Sequence, residues 1–94
     1  MKQQEAKFSL GKVVSTVGAF VTLEFAEADA QKYLRRHESG DWGDVSSLDW
    51  EENEFSLKNG FRLLSAYYVR DGEVIWIITE ADRSVTTILL PEEY

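Results

Sequence analysis

The decapeptide RRHESGDWGD, residues 35 to 44, gathers residue types that chemistry uses. His37 is the only histidine of the chain, and an imidazole that titrates near neutral pH is a candidate general acid or base. Asp41 could orient it if the loop folds back, and Trp42 stands beside it between Gly40 and Gly43. A second cluster, TEADRSVTT at 79 to 87, offers Arg83 with the hydroxyls of Thr79 and Thr87, a combination suited to an anion or a phosphate. If the two clusters met, His37 would move the proton and Arg83 would stabilise developing phosphate charge, giving metal-independent phosphodiester cleavage. Each feature also has a structural reading. His37 complements the negative end of a helix, Trp42 tucks its indole over the core edge between two permissive glycines, and TEADRSVTT is a polar turn.

Other chemistries find less support. The chain has no cysteine and one histidine, so neither disulfides nor an ordinary catalytic zinc site is expected. No acidic calcium loop, Walker loop, dinucleotide fingerprint or nucleophile elbow is present, and no cofactor is expected. The net charge of −7 argues against direct nucleic-acid binding, since phosphate contacts need clustered Lys and Arg. From Glu38 to Glu54 the chain carries seven carboxylates and no Lys or Arg. That run is either a solvated face or a surface for a basic protein partner. Asp41, Trp42, Asp44, Asp49, Glu51, Glu52 and Glu54 are the candidate contact residues, with the indole as an aromatic anchor.

The elements that must position these residues read as one domain over 1–94. Phe8 to Thr16 forms a short strand; VGAFVTLEF after it either continues as strand or turns into a helix, which periodicity does not separate, and a helical turn starting near Val17 is the favoured reading. ADAQKYLRRHE (28–38) is a helix with Asp29 as N-cap, His37 on its apolar stripe and Gly40 ending it. A second helix starts at Ser46 or Ser47 and stops at Gly60, with Leu48 and Phe55 on one face and Trp50 and Leu57 on the adjoining one. RLLSAYYV, EVIWIITE and VTTILL then form a three-stranded antiparallel meander. Asp71-Gly72 supplies a type I′ turn between the first two. The middle strand is apolar on both faces, so both sides of the sheet need cover, from helices on one and from the N-terminal segment or a second subunit on the other. The expected fold is α+β, with a homodimer as the expected assembly. No apolar run is long enough to span a membrane, and the start MKQQEAKFSL lacks a signal peptide's apolar region, so the bacterial cytoplasm is the expected compartment.

The segments GKVVSTVGA, RRHESGDWGD and NGFRLLSAYYVRDGEVIWIITEADRSVTTILLPEEY together resemble a family of small uncharacterised bacterial proteins found mostly on plasmids and other mobile elements. The resemblance spans nearly the whole chain. The family has Thr-Pro-Gly-Ala where this chain reads Thr16-Val17-Gly18-Ala19, and a proline there suits the first turn of a helix. The resemblance brings no established activity, but it implies a context of toxins, antitoxins and inhibitors of host defence. The order of elements is also loosely similar to barnase- and RelE-type ribonucleases, a likeness of fold alone. Two functions therefore stand as expectations. One is a non-enzymatic accessory protein whose acidic run engages a basic partner, such as a host defence nuclease. The other is a small ribonuclease using His37, Arg83, Thr79 and Thr87.

Overall fold

Thr16 turns the first strand into the first helix. Its extended backbone (φ −72°, ψ 159°) lets the hydroxyl accept from Ala19 N at 3.0 Å, an N-cap that replaces one missing intrahelical partner. The computed structural model describes residues 5–94. Strand β1 (Lys12–Ser15) leads into α1 (Val17–Phe25), α2 (Ala30–Glu38) and α3 (Ser47–Asn59). Strands β2 (Leu63–Arg70), β3 (Glu73–Thr79) and β4 (Val85–Leu89) follow, and a 3₁₀ turn at Pro91–Glu93 closes the described chain. The caps sit where side-chain oxygens allow them: Asp29 accepts from Gln31 N at 3.0 Å, and Ser46 from Asp49 N at 3.1 Å. Gly60 ends α3 in the left-handed region.

The fold is α+β, with one four-stranded sheet in the order β1-β4-β3-β2. The C-terminal three strands form the expected antiparallel meander. The N-terminal strand joins the same sheet, parallel to β4, with Lys12 opposite Val85 and Ser15 opposite Ile88. It is shorter than the sequence suggests, because Gly11 takes a positive φ of 64° and breaks the extended run after Leu10. The Asp71-Gly72 turn also differs from expectation. Only Gly72 of the pair has positive φ (73°), so the turn is not type I′. The register slips instead between Tyr68 and Arg70, a bulge that absorbs the extra residue. Arg70 then meets Glu73 at 3.0 Å and donates to Phe25 O at 3.1 Å.

Alternation sorts the strands into two faces. Tyr67, Ile75, Ile77 and Ile88 point to one face and pack against Ala19 and Leu23 of α1 and Tyr33 and Leu34 of α2. The other face carries Val74, Trp76 and Ile78; Ile78 is buried and the other two are half-buried. There the Tyr94 ring stands edge-on to Trp76, with centroids 5.6 Å apart. No helix among the described residues is long and apolar enough to cross a membrane.

Candidate functional site: the outer face of helix α3

His37 lies in the last turn of α2 and faces the sheet, where it is fully buried. Its Nδ1 is 2.6 Å from Ser65 Oγ on β2, and its Nε2 is 2.9 Å from Thr79 Oγ1 on β3. Thr79 Oγ1 is 2.7 Å from Thr86 Oγ1 on β4, and Thr86 donates to Leu10 O at 2.6 Å. The carbonyl at the end of this chain fixes every proton. Thr86 spends its hydrogen on Leu10, so it must accept from Thr79. Thr79 must then accept from Nε2–H, which leaves Nδ1 to accept from Ser65. The ring is the neutral Nε2–H tautomer. Burial, helped by the positive charge of Arg83, pushes its pKa down from 6.5 to about 3, because desolvation disfavours the charged form. Phe8 and Trp42 meet the ring edge-on, at 5.2 and 5.7 Å between centroids. A solute cannot reach this imidazole in the folded chain.

The rest of the decapeptide seals an edge. Trp42 is fully buried and donates its indole N–H to Glu54 Oε2 on α3 at 2.8 Å, so it is not the exposed anchor considered from sequence. Strand β2 borders the sheet, and its outward backbone groups would otherwise invite a foreign strand. Ala66 N donates to Trp42 O at 3.2 Å, Asp44 N donates to Ala66 O at 2.6 Å, and Asp44 Oδ2 accepts from Tyr68 N at 3.0 Å. Asn53 of α3 completes the cover, donating to Leu64 O at 2.7 Å and accepting from Leu64 N at 3.0 Å. Gly43 is required at the closest approach, since a methyl group there would collide with the Ala66 carbonyl and the Tyr67 ring. Asp41 pairs with Arg36 at 2.7 Å, accepts from Gly43 N at 3.1 Å and offers its carbonyl to the Tyr67 hydroxyl at 2.6 Å. Burial pushes the Tyr67 phenol pKa up, so it stays a donor.

Arg83 is occupied as well. Its backbone sits at φ 63°, and its guanidinium donates to Phe61 O at 2.7 Å and to Glu80 O, Ala81 O and Ser56 O, each at 3.2 Å. It ties the β3–β4 turn to the end of α3. Its fifth neighbour is the Phe8 ring, 5.6 Å from the guanidinium carbon, and Phe8 also packs on His37. The phosphate pocket imagined from sequence is therefore not assembled: the guanidinium faces carbonyls and the imidazole faces hydroxyls. Thr79 does meet His37, but Thr87 sits across from Ile78 on the opposite face of the sheet. Ser65 is the partner sequence reading missed, while Thr86 belongs to the TEADRSVTT cluster and bonds Thr79 rather than an anion. That bond is legible only once the register sets Thr86 opposite Thr79.

Of the acidic run, Asp41, Asp44 and Glu54 are thus engaged within the chain, Glu38 is half-buried at the end of α2, and Asp49, Glu51 and Glu52 are exposed on α3. This helix is held by polar ties, through Asn53, Glu54 and the Ser56 carbonyl, and Asn53 is its only buried residue. Its apolar side chains divide between two sides: Trp50 and Leu57 lie on the side of Asn53, with Leu57 half-buried, while Leu48 and Phe55 point away from the core. Leu48 is 67% exposed, Phe55 61% and Phe61, just past the helix, 53%. Leu48, Glu51, Glu52 and Phe55 recur at i, i+3, i+4 and i+7 and share one face. The Phe55 and Phe61 rings stack at 5.9 Å with 9° between their planes. Together with Ser56 these side chains line an open groove of about 470 Å³. The groove is apolar at both ends and acidic between them. Large apolar side chains left exposed together, here with carboxylates between them, suit a contact surface. The sequence signal for it was the i, i+7 pair of apolar residues enclosing two carboxylates, which reads equally well as a core-facing stripe.

No group of three or more His, Cys, Asp or Glu that could hold a metal occurs among the described residues. No family model, curated protein or solved structure matches the chain.

Proposed function

We propose that this chain is a non-enzymatic accessory protein that docks a basic protein surface on the outer face of α3. The observation that carries this reading is the outer stripe of the helix: Leu48 and Phe55 face solvent with Glu51 and Glu52 between them, while the only fully buried residue of the helix is an asparagine. Apolar ends supply the area that makes a contact adhere, and the carboxylates select the sign of the partner. The matching surface presents Lys or Arg flanked by apolar side chains. A nuclease of host defence offers such a surface where it grips nucleic acid, and the mobile-element context implied by the resemblance suits that target in the bacterial cytoplasm. Asp49 adds charge at the helix start. Trp42 holds the helix from behind through Glu54, while Asp41 and Asp44 are bonded away from this face.

The test uses immobilised chain and a purified basic nuclease, with the triple variant Asp49→Lys/Glu51→Lys/Glu52→Lys as control. The wild type retains the nuclease and the triple variant loses it, and excess DNA displaces the chain from the complex. Equal retention by both proteins would remove the acidic face from the function.

A further inference from the structure

A second apolar surface lies on α1, and it is unlike the first. Val17, Phe20, Val21 and Phe25 recur at i, i+3, i+4 and i+8 and are 79, 58, 41 and 70% exposed. The inward side of the same helix sends Ala19 and Leu23 into the core, so α1 is apolar on both sides and only one is used. Val13 of β1 sits opposite Thr86 in the parallel register, on the sheet face that α1 covers, and is itself more than a third exposed. The neighbouring edge is open too. Lys12 N donates to Ser84 O, just before β4, and Thr16 N to Ile88 O of β4, so by alternation Val13 and Ser15 turn their backbone groups outward.

We infer that this surface joins two copies of the chain, α1 against α1 about a two-fold axis. Charge selects the occupant. The molecule carries −7 overall, so most of its surface repels a second copy, and the α3 groove with Glu51 and Glu52 does so directly. The α1 stripe is the exposed apolar surface without such a carboxylate pair; Glu24 is the only charged residue of the helix. An isologous contact places the same patch on both sides. The five side chains offer on the order of 500 Å² per copy, most of the roughly 800 Å² that each partner gives to a stable dimer. Polar rim residues and the β1 edge supply the remainder.

Sedimentation equilibrium of the whole chain, from 2 to about 200 µM, tests this directly. The expected mass rises to twice the chain's 10.8 kDa. The Phe20→Glu/Phe25→Glu variant stays at the monomer mass with unchanged near-ultraviolet dichroism, and Phe55→Glu on α3 dimerises like the wild type. A monomer mass for the wild type over the whole range overturns the inference. So does a dimer that Phe55→Glu abolishes and the α1 variant leaves intact. Because neither α1 residue touches the α3 groove, loss of the dimer and loss of basic-partner binding are separate results.

Discussion

At the scale of single residues, His37 shows how a chemically suggestive side chain can be built into a structure that keeps it neutral. Its folded-state pKa near 3 lies below the 6.5 of an exposed imidazole. Between those values the unfolded chain binds a proton that the folded chain refuses. The stabilising effect is therefore complete above pH 6.5 and is lost progressively as pH falls toward 3, by at most about 1.4 kcal/mol per pH unit and on the order of 5 kcal/mol in all. Urea unfolding at pH 7.5 and pH 5 should show a lower midpoint at pH 5. His37→Gln should flatten that dependence while costing roughly 2–4 kcal/mol at pH 7.5, since Ser65 and Thr79 lose a well-placed partner. A variant as steep with pH as the wild type would show that the acid sensitivity resides elsewhere. The sequence placed His37 correctly on the inner stripe of α2, because helical spacing is local. It could not show the two hydroxyls waiting there, which come from strands 28 and 42 residues away. Arg83 and Thr87 were misjudged for the same reason: a guanidinium suited to phosphate is equally suited to four carbonyls, and adjacent threonines on a strand face opposite ways.

At the scale of elements, the limits of α2 and α3 were legible from caps and glycines, and the meander from its strand pattern, whereas the short apolar run of α1 (Val17–Phe25) fitted strand or helix equally. The joining of β1 to β4 was not, since parallel pairing across some 70 residues leaves no local signature. Trp42-Gly43-Asp44 is the less obvious device, a short extended segment that closes the β2 edge together with Asn53. Gly43 and Gly60 make a controlled comparison. Both have φ near +78°, but a methyl group meets backbone at the first and open space at the second. Gly43→Ala should cost at least about 2 kcal/mol and Gly60→Ala about 1 kcal/mol, read from chemical denaturation. Light scattering on the surviving Gly43→Ala protein should also rise, as an unsealed β2 edge recruits other chains. Similar costs at the two glycines would show that the close approach contributes little. Trp42→Ala, which removes a fully buried ring and leaves Glu54 without its donor, should cost about 3–5 kcal/mol by the same measurement.

At the scale of the whole molecule, the division of surfaces gives the protein its character. One apolar face, on α1, is nearly uncharged; the other, on α3, is acidic; and His37, Trp42 and Arg83 are committed to the support of the chain itself. The composition announced the acidity but not its sorting, since Asp41, Asp44 and Glu54 look in sequence like Asp49, Glu51 and Glu52. Reversing the last three to lysine changes the net charge by +6, from −7 to −1, yet each substitution should alter stability by no more than about 0.5 kcal/mol because these side chains are exposed. Association with a basic partner should weaken steeply with added salt, as the Debye length falls from about 10 Å at 0.1 M to about 3 Å at 1 M. The most direct measurement is a backbone-amide NMR titration with two helical peptides. Each carries leucines at i and i+7; one has lysines at i+3 and i+4, and the other has glutamates. The lysine peptide should shift the resonances of Leu48, Glu51, Glu52, Phe55 and Phe61, and the glutamate peptide should not; the Asp49→Lys/Glu51→Lys/Glu52→Lys chain should reverse that preference. Shifts of equal size with both peptides, or shifts confined to residues outside α3, would contradict a charge-selective docking face.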